Sequence, residues 1–337
     1  MIFSIGLPTG MEGLIYPVPF CSIENLVQIA QNAERLGYHS VWGNDHMVTQ
    51  KYVREEFETP PRYWEPLVTY AYLAAMTKTL RFGTGILALP LRRDIVVVAK
   101  QIATLDHLSG GRFELGVGVG AYREEFEGLW PDSKAHRGDM TEEGVEALGT
   151  LFKNRVASFD GKYYKYRDIE VYPKPLQAKV PVYFGGNNEN HIRRVVDSEF
   201  TTGWIPAGME IGQLAQKIDQ LRTYATSKGK DPANIEVSPQ FILHVGKTRE
   251  EGIARFRQSQ LYKHLISLTS STLKNQAQFS MEDINLVGSV DDVIEKVSRI
   301  RDLGVNHMLG MLIAANDVQE FNDQMQLFAE EVMPCVK

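Results

Sequence analysis

Cysteine and long hydrophobic runs are both scarce in this sequence. Its 337 residues contain two cysteines, Cys21 and Cys335, near opposite ends of the chain. Without CxxC or CxxH spacing they form neither a zinc motif nor a disulfide framework, and we predict no bound metal. No apolar run approaches the length needed to cross a bilayer, so we predict no membrane association.

Basic residues are also fewer than acidic ones, with 36 Lys and Arg against 42 Asp and Glu. The formal net charge is −6, the sequence isoelectric point is ≈ 5.8, and no basic block interrupts the chain. These values argue against a nucleic-acid-binding surface. The first residues, Met1–Gly6, resemble a strand and lack the basic region that opens a signal peptide. We therefore expect a cytoplasmic protein that acts on a small-molecule substrate.

What the chain does contain is an alternation of short apolar runs with longer segments of helical periodicity. Runs rich in Val, Ile and Phe predict strands, and apolar residues spaced by three and four predict helices. The predicted strands are Ile2–Gly6, Ser40–Trp42, Leu80–Leu87, Phe113–Val117, Val182–Phe184, Thr202–Ile205, Glu236–Val245 and His307–Leu312. The predicted helices are Asn25–Leu36, Leu67–Thr77, Ile95–Leu108, Asp139–Phe152, Glu189–Val196, Ile211–Lys228 and Asp291–Leu303.

Eight strands with helices between them predict a parallel sheet in an α/β protein. Eight units in a chain of this length fit a closed (β/α)8 TIM barrel better than an open sheet, with residues 1–337 as a single domain. Insertions are expected, because Met47–Pro66 and Ala157–Lys179 are long connections. The segment Lys263–Asn285 lacks clear strand character.

Three glycines at every second position mark one of the strands. Gly116, Gly118 and Gly120 end the run FELGVGVG. Alternate residues of a strand share a face, so these glycines remove the side chains from one side and admit a flat ligand. A bulge or a barrel corner would use glycines in the same way. A dinucleotide-binding loop is discounted, because the third glycine of GxGxxG is absent and the motif lies a third of the way along the chain.

Polar or glycine-rich residues also follow other predicted strands, at the end where a barrel carries its active site. Asn44–His46 follow the second strand, and Gly83–Ile86 end the third. Phe184–Asn188 end the fifth strand and open a helix, where free backbone N–H groups and the helix dipole favour a phosphate. Asn187 and Asn188 either add side-chain donors to this anion site or cap the helix.

Taken in order, these motifs resemble those of the bacterial luciferase-like superfamily of flavin- and deazaflavin-dependent oxidoreductases. The resemblance covers nearly the whole chain. The residues that carry it are Trp42–His46, Arg81–Leu87, Leu105–Arg112 with the three glycines, His136–Gly138, Val182–Gly186, Gly203–Pro206 and Leu286–Ser289.

The resemblance implies a TIM barrel that holds FMN or a deazaflavin at its carboxyl-terminal mouth. It also implies a bulge after the third strand with a non-proline cis peptide bond, which motif alignment places between Gly85 and Ile86. The cofactor-binding residues predicted on this basis are Gly85, Ile86, Gly118, Arg137, Gly185, Gly186 and Asn187.

Asp45 and His46 are the predicted catalytic residues. They match the Asp-His pair of deazaflavin-using relatives, in which the histidine lies close to the reacting ring. Histidine exchanges protons near neutral pH, although a histidine after a strand also serves purely structural roles. For Arg137 two interpretations stay open: it pairs with Asp139 or Glu143 at a helix start, or it reaches the cofactor phosphate.

Departures from the family narrow the expected chemistry. Deazaflavin sugar-phosphate dehydrogenases carry a glutamate where this chain has Ala121, and a tryptophan where it has Met47–Thr49. The leading hypothesis is a monooxygenase that receives reduced FMN from a separate flavin reductase and uses O2 on a small organic substrate. The alternative is a deazaflavin-dependent oxidoreductase that transfers hydride without oxygen. A barrel that has lost its cofactor and serves as a binding subunit is the non-enzymatic option.

Two further expectations concern the loop Lys51–Pro66 and the assembly. The loop carries Tyr52, Phe57, Tyr63 and Trp64 among charged residues. It is either a solvated excursion with anchoring aromatic side chains or a lid over the substrate. The resemblance also implies a homodimer that packs through helices near the second and third strands.

Overall fold

A parallel sheet surrounded by helices forms the framework of the protein. The computed structural model describes residues 1–268, 276 and 278–336. Its strands are β1 (Ile2–Leu7), β2 (Ser40–Gly43), β3 (Arg81–Thr84), β4 (Leu87–Ala88), β5 (Phe113–Gly118), β6 (Ala157–Asp160), β7 (Lys165–Ile169), β8 (Val182–Gly185), β9 (Gly203–Ile205), β10 (Glu236–Val237), β11 (Ile242–Gly246), β12 (Leu286–Ser289) and β13 (His307–Ile313).

The connections between the strands are mostly helical. The helices are α1 (Ile23–Arg35), α2 (Lys51–Glu56), α3 (Pro66–Met76), α4 (Ile95–Leu108), α5 (Arg123–Leu129), α6 (Arg137–Lys153), α7 (Glu189–Asp197), α8 (Ile211–Ser227), α9 (Arg249–Gln258), α10 (Gln260–Leu268), α11 (Met281–Ile284), α12 (Val290–Asp302) and α13 (Val318–Leu327). Among the described residues, no helix combines the length and apolar composition that crossing a membrane requires.

Neighbouring strands of the main sheet run parallel. Their order is β10, β9, β8, β5, β3, β2, β1, β13, β11 and β12, with β4 added beside β5. The sheet is curled, and side chains pack on both of its faces. The large core lies between strands and helices, whereas Trp42, Tyr183, Ile205 and Leu309 form a second cluster. The predicted α/β class with a parallel sheet is confirmed.

Local sequence signals explain where several helices begin. Ser22 and Asn25 form a capping box at the start of α1, and Ser289 and Asp292 form another at the start of α12. In each box a side-chain oxygen satisfies a backbone N–H group that has no partner within the helix. Asp94 starts α4 by accepting two such N–H groups. These helices therefore begin within a few residues of their predicted starts.

The third predicted strand, Leu80–Leu87, is interrupted in the structure. β3 ends at Thr84, and the peptide bond between Gly85 and Ile86 is cis, which confirms the predicted bond. The chain then resumes as β4, which pairs with β5 so that Leu87 lies opposite Val117. The expected bulge is therefore present after the third strand.

The long connection Ala157–Lys179 and the segment Lys263–Asn285, for which no strand was predicted, both contain regular structure. Ala157–Lys179 holds the antiparallel hairpin of β6 and β7, which is docked on α6 because Glu143 accepts N–H groups from the hairpin turn. Within Lys263–Asn285, the described part is helical at the end of α10 and in α11, whereas residues 269–275 and 277 lie outside the described residues. β12 was not among the predicted strands, although its residues matched the family motif.

Strand register brings the predicted site segments to one edge of the sheet. Gly43 lies opposite Thr84, and Gly185 lies opposite Ile205. Because parallel strands share their direction, the residues that follow β2, β3, β5, β8 and β9 meet at the carboxyl-terminal edge. The candidate site lies there.

Candidate active site

The segments that follow these strands surround a cavity of ≈ 920 Å³, which we call the site cavity. This is a size typical of small-molecule sites. Every residue that the sequence predicted for the site lines it, namely Asp45, His46, Gly85, Ile86, Gly118, Arg137, Gly185, Gly186 and Asn187. The lining also includes Lys217, His191 and Gln240, which the sequence did not indicate.

The side chain of Ile86 lies between two glycines on the cavity wall. A Cβ atom at Gly118 would come within 2.8 Å of Ile86 Cγ1, and one at Gly185 within 2.6 Å of Ile86 Cγ2. Neither position has room for a side chain, because Ile86 already occupies that space. The glycines thus admit one aliphatic side chain, which forms a flat apolar floor.

The three alternate glycines, of which Gly116 and Gly118 lie in β5 and Gly120 follows it, do not form the bare face that the sequence predicted. A Cβ atom at Gly116 would collide with the carbonyl oxygen of Thr84, and Gly116 is not part of the cavity lining. Gly118 and Gly120 do line the cavity, and Gly120 has a φ of +78°. The prediction is corrected in this respect: Gly116 accommodates main chain at the bulge, as the alternative interpretation stated.

His46 is held by a buried carboxylate. Its Nδ1 atom lies 3.1 Å from Oε2 of Glu125, and the two side chains are 7% and 1% exposed. Oε1 of Glu125 accepts the backbone N–H groups of Met47 at 2.5 Å and Val48 at 3.3 Å. Glu125 therefore fixes both the ring of His46 and the backbone that follows it.

Glu125 was not among the site residues predicted from the sequence, although one signal pointed to it. α5 is short and highly charged, which is typical of a solvated helix. However, Phe126 and Leu129 are spaced by three, and Glu125 lies beside Phe126 on the buried side of the helix. A carboxylate next to an anchoring aromatic residue was the available clue.

Aromatic side chains surround the imidazole ring. The ring centroids of Tyr63 and Tyr122 lie 5.6 Å and 5.8 Å from that of His46. The hydroxyl of Tyr63 donates to Gln50 Oε1 at 2.9 Å, and Arg62 pairs with the buried Glu12 at 2.6 Å. These contacts hold the end of the loop Lys51–Pro66 beside His46, whereas residues 54–56 and 58–60 of the loop are exposed and none of the loop residues lines the site cavity.

Asp45 has a structural environment in place of the predicted catalytic one. Its two carboxylate oxygens accept from Arg92 at 2.8 Å and 3.1 Å, and one also accepts the Ala88 N–H group at 3.0 Å. Burial raises the pKa of the Asp45 carboxyl, and the charge of Arg92 opposes that rise. Arg92 also pairs with Glu65 at 2.6 Å. Asp45 thus joins the end of β2 to β4, and we assign it a positioning role.

The start of α7 differs from the predicted anion site in its details. The N–H group of Gly186 donates to the Ile205 carbonyl oxygen at 3.1 Å, so it is already used. The side-chain oxygen of Asn187 accepts from the Ala207 N–H group at 2.8 Å. Asn188 caps α7, as one of the two interpretations stated. What lines the cavity is therefore the start of α7 itself, where the first N–H groups have no acceptor within the helix and Asn188 accepts that of His191.

Two cations flank this helix start. Nη1 of Arg137 donates to the carbonyl oxygen of Gly120 at 3.0 Å, which holds the guanidinium at the cavity wall. Of the two interpretations, the pairing of Arg137 with Asp139 or Glu143 is not seen among the described residues: Asp139 pairs with His136 at 3.0 Å and Arg194 at 3.4 Å, and Glu143 accepts N–H groups of the hairpin turn. Lys217, on α8, is 25% exposed and was missed, since nothing distinguishes it from other charged residues of that helix.

An orphaned nitrogen lies beside the same helix start. The Nδ1 atom of His191 is buried and has no hydrogen-bond partner within the described ranges. Burial lowers the pKa of His191 to about 4, and Arg194 adds to this effect. The neutral ring thus leaves one buried nitrogen without a hydrogen bond beside the start of α7, an unsatisfied group of a kind that is rare in folded proteins. The cavity combines a flat floor, a histidine and an anion-binding end, which suits a phosphorylated planar ring.

Comparison with known proteins agrees with this geometry. A family model described as luciferase-like monooxygenase matches residues 3–307. The FMNH2-dependent dimethylsulfone monooxygenase of Pseudomonas putida is 24% identical, with 92% of this chain and 87% of that protein covered. The F420-dependent glucose-6-phosphate dehydrogenase of Amycolatopsis mediterranei is 25% identical, with 93% and 94% covered.

A solved structure extends the similarity to the fold. The crystal structure of monooxygenase RslO1 from Streptomyces bottropensis superposes with a TM-score of 0.80 at 21% identity, and 99% of each chain is covered. At this identity the superposition shows a shared fold, while the reaction has to be inferred from the site.

Proposed function

This chain belongs to the luciferase-like monooxygenase family, and from that premise we propose that it is a reduced-FMN-dependent monooxygenase of a small organic substrate. Family members are flavin- or F420-dependent oxidoreductases. The observation that carries the proposal is the site cavity, where the Ile86 floor and the His46 ring share one space with the start of α7.

The residues present fit a phosphorylated flavin. Ile86, between Gly118 and Gly185, would support the ring system, and the unpaired N–H groups of α7 with Arg137 would hold the phosphate. Reduced FMN, supplied by a separate reductase, would provide the two electrons that let O2 place one oxygen atom on the substrate and release the other as water.

The protein's own part in this reaction is orientation, exclusion of water and proton transfer. His46 lies at the cavity wall and exchanges a proton at its Nε2 atom, since Nδ1 faces Glu125. Tyr63 and Tyr122 pack beside the ring and keep bulk water away from it. Gln240, which lines the cavity near Gly85, is oriented by its donation to the Gly310 carbonyl oxygen at 2.9 Å.

The charges at the outer end of the cavity favour FMN over a deazaflavin with a polyanionic tail. Lys217 lines the cavity together with Glu189, the first residue of α7, and the carboxylate of Glu189 lies 3.9 Å from the Lys217 Nζ atom. The pair leaves little excess positive charge to hold several carboxylates. A single phosphate between α7 and Arg137 needs no such excess.

A closed barrel is part of the same proposal. Ser238 and Gln240 donate N–H groups to the carbonyl oxygens of Trp204 and Pro206 at 2.9 Å each. On the other side, Leu309 donates to Pro239 at 3.1 Å. One stretch of backbone therefore bonds to β9 and to β13, which is the connection that closure of an eight-stranded barrel requires.

Cofactor titration tests the proposal. Under anaerobic conditions, the purified chain is titrated with oxidised FMN, reduced FMN and F420, and binding is followed by calorimetry. We expect reduced FMN to bind at least about tenfold more tightly than F420, because a tenfold difference requires only about 1.4 kcal/mol of preference. Mass spectrometry with isotope-labelled O2 then follows oxygen transfer to a panel that begins with dimethyl sulfone.

Hydride transfer to or from a deazaflavin is the second candidate function. The coverage of the F420-dependent glucose-6-phosphate dehydrogenase favours it, because 93% of this chain aligns with that enzyme. Tighter binding of F420, with reduction of F420 by glucose 6-phosphate or a secondary alcohol, would replace the leading proposal. Absence of binding by any of the three cofactors would contradict both and favour a binding subunit.

We also propose that the protein is a homodimer. α3 exposes Val68, Tyr72 and Met76, which are spaced by four and are 67%, 50% and 41% exposed. Residues spaced by four lie on one face of a helix, so they form an apolar stripe that a second copy can cover.

Sedimentation velocity tests the assembly. Tyr72→Glu is expected to convert a dimer to a monomer, because a carboxylate cannot be buried in an apolar interface without a partner. The matched control is Tyr172→Glu, since Tyr172 is 68% exposed on a different part of the surface. A monomeric wild type, or a dimer that Tyr72→Glu leaves intact, would refute the proposal.

A further inference from the structure

Glu125 is buried beside His46, although it does not itself line the site cavity. Its side chain is 1% exposed, and its carboxylate contacts three nitrogen atoms at the end of β2, the backbone nitrogens of Met47 and Val48 and Nδ1 of His46. Burial of a carboxylate costs free energy unless hydrogen bonds to its oxygen atoms compensate for the lost water contacts. The arrangement therefore needs a reason beyond packing.

The two carboxylate oxygen atoms of Glu125 have different hydrogen-bond partners. Oε1 accepts from the backbone N–H groups of Met47 and Val48, which are donors under all conditions. Oε2 lies 3.1 Å from Nδ1 of His46, which is its one hydrogen-bond partner among the described residues. Two backbone donors stabilise the ionised carboxylate, and an ionised carboxylate can only accept. Nδ1 must then carry the hydrogen.

A second contact to the same nitrogen is weaker. The Nε2 atom of Gln50 lies 3.3 Å from Nδ1, farther than the carboxylate. That amide group has another acceptor in the Val48 carbonyl oxygen at 3.4 Å, and the Gln50 oxygen accepts from Tyr63. Gln50 can therefore tolerate a protonated Nδ1, while the ionised Glu125 requires it.

We infer that Glu125 is a positioning residue that fixes the tautomer of His46, with the hydrogen on Nδ1, so that Nε2 is the nitrogen presented to the site cavity. Nε2 of the neutral ring is then a proton acceptor. After it takes a proton, the carboxylate stabilises the imidazolium that forms. This inference deepens the proposed function and rests on it for the identity of the reaction, while the tautomer itself is a property of the protein alone.

Other titratable groups face His46 from the surrounding elements. Tyr63 precedes α3, Tyr122 precedes α5, and burial raises the pKa of each hydroxyl above its ordinary range. His264, on α10, has a pKa lowered to about 4 by burial and by the nearby His46. These three groups are neutral at neutral pH, so Glu125 is the charge that acts on the ring.

The Glu125→Gln variant makes the inference testable. The N–H groups of Met47 and Val48 require an oxygen in the Oε1 position, so the new amide must turn its NH2 group toward Nδ1. Nδ1 then has to accept, and the hydrogen moves to Nε2. The variant is nearly isosteric. Glu124→Gln is the matched control, because Glu124 is exposed, belongs to the same helix and accepts the Lys51 N–H group instead of contacting His46.

Side-chain nitrogen chemical shifts of isotope-labelled protein give the readout, without any cofactor. The signals of His46 are identified among the eight histidines by their loss in His46→Ala. We expect Nδ1–H in the wild type and in Glu124→Gln, and Nε2–H in Glu125→Gln. A wild type with the hydrogen on Nε2 would overturn the inference, and so would an unchanged tautomer in Glu125→Gln. If Glu125→Gln does not fold, the wild-type spectrum decides alone.

Activity separates this inference from the proposed function. Glu125→Gln is expected to lower turnover about 100-fold, within the range for a misplaced general acid–base group, and to leave the affinity for reduced FMN within about twofold. Failure of reduced FMN to bind would refute the proposed function and leave the tautomer result standing. Full turnover by Glu125→Gln with a shifted tautomer would overturn the role assigned to Glu125.

Discussion

Replacing Arg92 by methionine is expected to lower the free energy of unfolding by about 3–5 kcal/mol, the range for removing one partner of a buried ion pair. The side chains of Arg92 and Asp45 are 8% and 0% exposed. Methionine preserves the apolar stem but leaves the Asp45 carboxylate with the N–H group of Ala88 as its remaining donor within the described part of the chain. Urea unfolding at neutral pH measures the change.

The loss of unfolding free energy in Arg92→Met should increase as the pH rises. Burial already raises the pKa of the Asp45 carboxyl, and removal of Arg92 raises it further. When a folded-state pKa exceeds the unfolded value of about 3.9, stability falls as the pH rises between the two. The deficit of Arg92→Met is therefore largest at neutral pH and shrinks as the pH falls toward about 4.

Arg93→Met is the matched control for this experiment. Arg93 is the next residue, is exposed, and stacks over the Trp130 ring at 4.5 Å. We expect its loss to change stability by about 1 kcal/mol or less, as is usual for an exposed cation–π contact. An Arg92→Met deficit no larger than that of Arg93→Met would contradict the importance of the Asp45–Arg92 pair.

Removal of the imidazole is expected to have the largest effect on catalysis. His46→Ala should reduce turnover by about 10²–10⁴, the usual contribution of a positioned general acid or base. Water cannot substitute freely, because Tyr63 and Tyr122 pack around the ring. The rate of product formation is measured with whichever cofactor the titration selects.

Cofactor affinity and a second histidine serve as controls for His46→Ala. The affinity for reduced FMN should stay within about threefold, because the predicted phosphate contacts lie at the start of α7. His107→Ala is the matched variant, since His107 is exposed at the end of α4 and contacts the Lys174 carbonyl oxygen. Equal losses in the two variants would show that His46 has no special role.

Periodicity in the sequence predicted the units of the fold well, for reasons visible in the structure. α1 buries one apolar face, and its predicted span Asn25–Leu36 overlaps the observed helix almost completely. The hairpin of β6 and β7 was missed because its residues alternate between exposed and half-buried positions and carry few apolar side chains. Its position depends on Glu143, which lies in a separate element and leaves no local trace.

The candidate site was predicted as a set of positions more accurately than as a set of contacts. Strand ends are readable from sequence, so Asp45, His46 and Gly185 were placed correctly at the cavity. Contacts between distant segments are not readable: Arg92 is 47 positions from Asp45, and Glu125 is 79 positions from His46. The sequence therefore suggested an Asp-His pair, whereas the structure shows each residue with its own distant partner.

The side chain of Ile86 lies between Gly118 and Gly185, which have no side chains, and it is the group on the cavity wall nearest to both. Under the proposed function, the Ile86 side chain would limit how closely a planar ligand approaches the sheet. The height of the ligand above Ile86 would in turn set its distance from the His46 imidazole. Exchange at this one position, to a shorter or longer branched side chain, would change that distance and would leave the strands, the proposed phosphate contacts at the start of α7 and the contact between His46 and Glu125 as they are.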